Sequence, residues 1–365
     1  MMKIALDFYK NLFKEEQRPN IALKQDFFNI DEQVSVEDNI KLEARFTEEE
    51  VRKAVFDSYS DGAPGPDGLP FMFFQNFWDI IKGDLMAMFE AWYDHGLDIF
   101  RLNFAMITLI PKEEEAKDMR KFRPISLLNC CFKIFTKVLT NRLALIIGKL
   151  ISENQSSFIR GRYILESVVT AHEVLHTTHS SSRKGMICKV DYEKAYHRVN
   201  LDFVYEVLEL RGFGRKWINW VKSITQQGSI GVKVNGEESD FFITSSGLRQ
   251  GDPFSPLLFN LVVDVFAKMV IKGSQAGLIR GLCPNFHPEG DTCLQYADDT
   301  LLFVDCDHRA AINLKWILTC FELISGMSIN YHKSELIPIN LEEVEVQAFL
   351  DIFNCVRGKL PIKYL

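Results

Sequence analysis

The chain has 365 residues, a formal net charge of −7, 47% hydrophobic and 25% charged residues. That length can bury a large core spread over two or three lobes, and that composition excludes a disordered, collagen-like or disulfide-stapled chain. The most apolar window, 257–271, is interrupted by Asp264 and Lys268, and the N-terminus lacks a signal-peptide core, so an intracellular protein is expected, nuclear or cytoplasmic, neither secreted nor membrane-spanning.

The eight Cys form no C-x-x-C pair, which argues against a zinc knuckle. The acidic net charge argues against a nucleic-acid partner, but its distribution argues for one. Residues 101–165 hold twelve Lys and Arg against five Asp and Glu, so one lobe can be basic while the whole is acidic. The 29 Phe residues point to a well-packed interior.

Residues 1–46 read as helix and loop, beginning with an amphipathic helix, and suggest no chemistry. Thr47 with Glu50 three residues later forms a capping box for a helix that stops near Tyr59. The stretch Asp61-Gly62-Ala63-Pro64-Gly65-Pro66-Asp67-Gly68-Leu69-Pro70 excludes regular structure and is a shaped loop or a linker, the linker being preferred for the stretch by itself. Helical segments are expected over 71–81 and 82–93. Residues 104–112 form an apolar strand that ends at Pro111 and Lys112. An acidic loop then leads to Phe122-Arg123-Pro124-Ile125-Ser126-Leu127. An Arg placed there suits phosphate, whose oxygens its planar fork bonds in pairs.

A long helix is expected over 130–150. The polar turn Gln155-Ser156-Ser157-Phe158-Ile159-Arg160-Gly161-Arg162 precedes another helix, which carries His172-Glu173-Val174-Leu175-His176. This spacing puts two imidazoles on one helix face, as in zinc peptidases. No third ligand stands at a suitable distance, since His179 is only three residues on, and a polar helix face is the preferred reading.

Residues 186–190 form a strand that ends in Asp191, and Tyr192-Glu193-Lys194-Ala195-Tyr196 turns into a helix expected to run to Leu210. Residues 230–236 alternate and close on Asn235-Gly236, a hairpin signal with its return strand at 241–243. Gly247-Leu248-Arg249-Gln250-Gly251-Asp252-Pro253-Phe254-Ser255-Pro256 precedes an apolar helix over 257–271. Glycines at such a junction let a ligand approach the backbone, and a helix N-terminus favours phosphate.

In Leu294-Gln295-Tyr296-Ala297-Asp298-Asp299-Thr300-Leu301-Leu302-Phe303-Val304, apolar residues alternate on both sides of two carboxylates, the pattern of a hairpin with the acids at its turn. Adjacent carboxylates repel, and a hard cation held with a third carboxylate removes the penalty, which favours Mg²⁺ or Mn²⁺. A helix over 310–324, a strand over 327–330 leading to Lys333, and a last short strand over 360–365 complete the chain.

Taken in order, these stretches resemble the reverse transcriptase of non-LTR (LINE-type) retrotransposons, in a plant-like form. The matching segments run from Ala63-Pro64-Gly65-Pro66-Asp67-Gly68 through Phe122–127, 155–162, 191–196, 247–256, 296–299 and 325–333 to 360–365. The resemblance implies an α+β right-hand polymerase of fingers and palm, with a small antiparallel palm sheet packed on helices and the thumb absent after Leu365. It implies a domain order of an N-terminal helical extension over 1–100 with the loop at 61–70, fingers over 101–185, and palm over 186–365 with a fingers insertion near 214–246. The reverse transcriptase domain proper would cover about 101–365.

The same resemblance implies an RNA-directed DNA polymerase that joins dNTPs to a DNA primer on an RNA template. Asp191, Asp298 and Asp299 would hold two Mg²⁺ ions, with Mn²⁺ as a substitute, and Lys333 would protonate the leaving pyrophosphate. Lys112, Arg123, Tyr196, Gln250 and Gly251 would bind the nucleotide, Tyr196 as the gate against a ribose 2′-OH. The segment 360–365 would begin the primer grip. Two positions depart from the family pattern: His197 stands where an acid is usual, and Phe254 where an aliphatic residue is usual. Against the family pattern, the endonuclease and thumb regions of a longer element protein are expected to be missing. The alternative is a catalytically inactive relic that at most binds nucleic acid.

Overall fold

The computed structural model describes residues 1–15, 21–283 and 292–362. In chain order the strands are β1 (Phe104–Pro111), β2 (Phe122–Leu128), β3 (Gly185–Val190), β4 (Tyr192–Glu193), β5 (Ser229–Val234), β6 (Glu237–Glu238), β7 (Phe242–Ile243), β8 (Cys293–Tyr296), β9 (Asp299–Asp305), β10 (Ser328–Ile329), β11 (Glu335–Ile339) and β12 (Val356–Arg357). With the helices between them they make an α+β fold. The chain forms two compact units that alternate along the sequence. The first takes in 23–147 and 196–258 with the N-terminal helix, and the second takes in 148–195 and the described residues from 259 on.

The first unit carries a sheet ordered β2-β1-β5-β6, with β7 also on β5. β1 runs antiparallel to β2 and parallel to β5. The β5–β6 turn has the form its sequence demands: Asn235 and Gly236 have φ of 52° and 87°, the left-handed pair of a two-residue hairpin. Aromatic rings fill the interior. Phe46 stacks on Trp92 at 5.5 Å, Phe89 stacks on Phe135 at 4.1 Å, and Trp217 meets Phe254 edge-on.

Three expectations change here. The helix break after Pro70 falls at Phe77, between Phe71–Asn76 and Trp78–Tyr93, and not near Ile81. The helix expected over 130–150 ends at Ala144, and a separate turn, Ile147–Leu150, follows. The Gly/Pro stretch is a docked loop and not a linker: a Cβ on Gly65 would lie 2.3 Å from the Asn129 nitrogen, and Asn129 Oδ1 accepts from the Asp67 N–H at 3.1 Å. Backbone packed that closely leaves room only for glycine.

An ion pair between buried Arg142 and half-buried Glu50 fastens the capping-box helix, Glu48–Phe56, to the helix Cys130–Ala144. The Arg142 side chain, 6% exposed, bonds both Glu50 oxygens at 2.8 and 2.9 Å and donates to the carbonyls of Leu42, Ala44 and Arg45. Burial pushes the Glu50 carboxyl up, but the Arg142 bonds and charge, with the Thr47 bonds, outweigh it, so its pKa lies below the ordinary carboxylate value. A depressed folded pKa means that the stabilisation is present above the unfolded value and is lost as pH falls through the folded one. Arg142→Lys keeps the charge but not the fork, so we expect a loss of about 1–2 kcal/mol in urea unfolding at pH 7. The difference from wild type should shrink as Glu50 protonates.

The second unit is built on a sheet ordered β12-β11-β3-β9-β8, antiparallel throughout except between β11 and β12. Helices Ile164–Ser180 and His308–Ser325 pack on it. Alternation sends Ile187, Leu301, Phe303, Ile337 and Ile339 to one face, where they meet Val174 and Leu294 in a buried cluster. The expected single helix after Asp191 is split into Ala195–Arg198 and Leu201–Leu210, because the Asn200 side chain accepts from the Phe203 N–H at 3.2 Å and starts a new helix. Residues 360–362 are not a strand, and 363–365 lie outside the described residues. Among the described residues no helix is long and apolar enough to cross a membrane.

Candidate active site

The two-acid hairpin forms as its alternation predicts. Tyr296 pairs with Asp299 across a two-residue turn, Ala297-Asp298. β3 pairs with β9 from Gly185↔Asp305 to Val190↔Thr300. That last pair leaves Asp191 and Asp299 as the next residues on the two strands. Side chains two apart on a strand share a face, so Lys189 and Asp299 project to the same side of the sheet as Ile187 and Leu301. Asp191, Asp298 and Asp299 are all half-buried.

Ala297 has φ of 54°, a conformation that costs an L-residue about 1–2 kcal/mol and that a hairpin turn would normally give to glycine or asparagine. Burial pushes the Asp299 carboxyl above its ordinary value, and the nearby Lys189 charge only partly opposes it. The site therefore disfavours a bare carboxylate at 299. Hard oxygen donors on one face suit a divalent cation. Among the described residues no three His, Cys, Asp or Glu side chains already converge as a ligand set, so the side chains would have to close around an ion.

The main chain of Asp191 is gripped on both sides. Its N–H donates to Ser334 Oγ at 3.1 Å, and its carbonyl accepts from the Asn330 N–H at 2.7 Å. Ser334 Oγ in turn donates to the Asn330 carbonyl at 2.9 Å. The sequence-predicted Lys333 sits in this same turn, exposed. Residues 330–334 thus both carry Lys333 and fix where Asp191 starts. Sequence reading singled out Lys333 and missed Ser334. A serine beside a turn has no signature of its own until its partner is known.

In the first unit the residues expected to meet the nucleotide are joined through backbone. Ser126 N–H donates to the Gln250 carbonyl at 2.8 Å, so the loop 247–252 lies along β2, the strand that also carries exposed Arg123. The Leu248 N–H donates to the Tyr196 carbonyl at 2.6 Å, and Gly247 N–H to that of Val199. Tyr196, Gln250, Gly251 and Arg123 thus belong to one connected piece. Lys112 follows β1, which pairs with β2 up to Pro111↔Phe122, and is exposed. His197 is 2% exposed with its ring edge-on to Phe13 at 5.1 Å, so it sits in the core of this unit. Phe254 is fully buried, and its extra bulk is taken up against Trp217.

His172 and His176 do share a helix face, with ring centroids 6.4 Å apart, but among the described residues no third ligand joins them.

The family described as reverse transcriptase (RNA-dependent DNA polymerase) matches residues 110–365. The transposon TX1 uncharacterized 149 kDa protein of Xenopus laevis is 26% identical over 334 residues, which is 90% of this chain and 25% of the relative. The retrovirus-related Pol polyprotein from type-2 retrotransposable element R2DM of Drosophila melanogaster is 24% identical over 271 residues, 74% of this chain and 24% of the relative. The chain therefore spans about a quarter of the length of these relatives. Among solved structures, telomerase from Candida tropicalis, in complex with a TWJ fragment of telomeric RNA, covers 73% of this chain and 50% of its own, at 12% identity and a TM-score of 0.47.

Proposed function

The chain belongs to the reverse transcriptase (RNA-dependent DNA polymerase) family, and on that premise we propose that it is the RNA-directed DNA polymerase domain of a LINE-type element protein. Its substrates would be an RNA template, a DNA primer and dNTPs. The observation that supports this reading is the last β3–β9 pair, Val190↔Thr300, which leaves Asp191 and Asp299 as the next residues on their two strands, with Asp298 in the adjoining turn. In this assignment the second unit's sheet is the palm core and the β1–β2 region belongs to the fingers.

The primer 3′-OH gives up its proton to solvent as its oxygen bonds to the α-phosphorus of the dNTP, the bond from that phosphorus to the α–β bridging oxygen breaks, and pyrophosphate leaves with the bonding pair. Asp191, Asp298 and Asp299 would hold two Mg²⁺, or Mn²⁺ in their place, which when bound supply charge neutralisation at the attacking and leaving oxygens. Arg123 and Lys112 bind triphosphate oxygens. Tyr196 excludes a ribose 2′-OH. Gln250 and Gly251 line the nucleotide site. Lys333 gives a proton to the departing pyrophosphate, and its exposed place in the 330–334 turn supports that role. The work of the remaining residues is positioning and electrostatics. Action on template RNA inside the cell, in nucleus or cytoplasm, follows from the same reading.

Primer extension on an RNA template with dNTPs tests it. Extension that requires Mg²⁺ or Mn²⁺ is the expected result. A folded chain that stays silent with either ion would leave the inactive-relic alternative.

A further inference from the structure

We propose that Gln155 is a positioning residue for the two-acid hairpin, acting through the backbone of Ala297. The inference rests on the polymerase reading for its consequence, though not for its geometry. Gln155 is fully buried. Its Oε1 accepts from the Ala297 N–H at 2.9 Å, and its Nε2 donates to the Ala297 carbonyl at 3.2 Å. Ser157 Oγ accepts from the same Ala297 N–H at 2.8 Å and donates to Gln155 Oε1 at 2.7 Å. One primary amide thus grips both polar groups of the single turn residue that precedes Asp298.

That grip answers a specific problem. Ala297 holds a left-handed φ, and its N–H and carbonyl are bonded from outside the hairpin, by the side chains of Gln155 and Ser157. Unheld, an alanine there would relax toward negative φ and re-aim the peptide plane that leads into Asp298. Fixing both groups fixes that plane. The amide is itself held from behind. The segment 154–156 runs beside β8, with the Gln295 N–H donating to Asn154 and the Ser156 N–H to Gln295. The Arg162 guanidinium ties together the carbonyls of Gly148, Ile151, Ser152 and Gln155. Asp264 accepts from the N–H and hydroxyl of Ser152.

Gln155→Met keeps the volume and removes the grip. We expect the rate constant for primer extension to fall about 10- to 100-fold, with the dNTP KM within threefold of wild type, since no nucleotide contact is touched. Ala297→Gly makes positive φ free of steric cost. Added to Gln155→Met it should return the rate to within about fivefold of Ala297→Gly alone. A merely structural role would show no such rescue. Hydrogen exchange at the Ala297 amide should rise at least tenfold in Gln155→Met. Unchanged exchange, or wild-type extension by Gln155→Met, or an unrescued double variant, would overturn the proposal. If the wild type itself fails to extend primers, the polymerase reading fails, and exchange at Ala297 alone decides this one.

Discussion

Asp298→Asn and Asp299→Asn should each lower primer extension about 10³-fold or more while leaving the chain folded. The size follows from what the proposed assignment has each variant remove: a charged metal ligand contributing several kcal/mol to stabilising the transition state, at about 1.4 kcal/mol per tenfold. Asn is nearly isosteric with Asp, so the β8–β9 turn keeps its shape. Asp299 makes the experiment sharper. Its carboxyl is pushed up by burial, with Lys189 opposing. A raised folded pKa means that the folded chain binds more protons than the unfolded one between the two values, so stability falls as pH rises through that window. At neutral pH the ionised Asp299 therefore costs stability, and Asp299→Asn should melt at or above the wild-type temperature. Mg²⁺ should raise the wild-type melting temperature by linkage and leave the Asn variants unmoved. A dead variant that also melts early would instead mark Asp299 as structural.

The contrast between 298–299 and 155 shows what a sequence can carry. The hairpin was legible because period-two alternation and two adjacent acids are local signals. Asn235-Gly236 was legible for the same reason. The Gln155 contact joins positions 142 residues apart, and a buried glutamine looks like any other until the strand beside it is known. The helix boundaries at Phe77 and Asn200 were lost differently. Apolar periodicity runs through both, and a single cap or non-helical φ/ψ decides the break. For the Gly/Pro stretch the choice between shaped loop and linker leaned the wrong way, because composition reports only that regular structure is excluded. Whether such a stretch swings free or docks depends on a partner, here the backbone at Leu128 and Asn129. The alternation of the two units along the chain is likewise set by long-range pairing, which no window contains.

Glycines in the 247–252 loop, which the proposed assignment sets against the nucleotide, allow a test in which geometry alone varies. Gly251 has φ of 113°, and a Cβ there would lie 2.5 Å from the Ser126 carbonyl oxygen. Gly247, with φ of 84°, would place one 2.4 Å from the His197 carbonyl oxygen. Gly236 has φ of 87° and nothing within 4 Å. All three carry the backbone penalty on substitution, but only two carry a clash with main chain that cannot rotate away. Gly236→Ala should cost about 1–2 kcal/mol in urea unfolding. Gly251→Ala adds overpacking and should cost about 2–4 kcal/mol. The clash lies where Ser126 and Gln250 are bonded, so relief must move Gln250 off β2. The dNTP KM should then rise tenfold or more in Gly251→Ala and stay put in Gly236→Ala. Equal effects at 236 and 251 would mean that close approach to β2 has no part in shaping the nucleotide site, and would remove Gln250 and Gly251 from the proposed contacts.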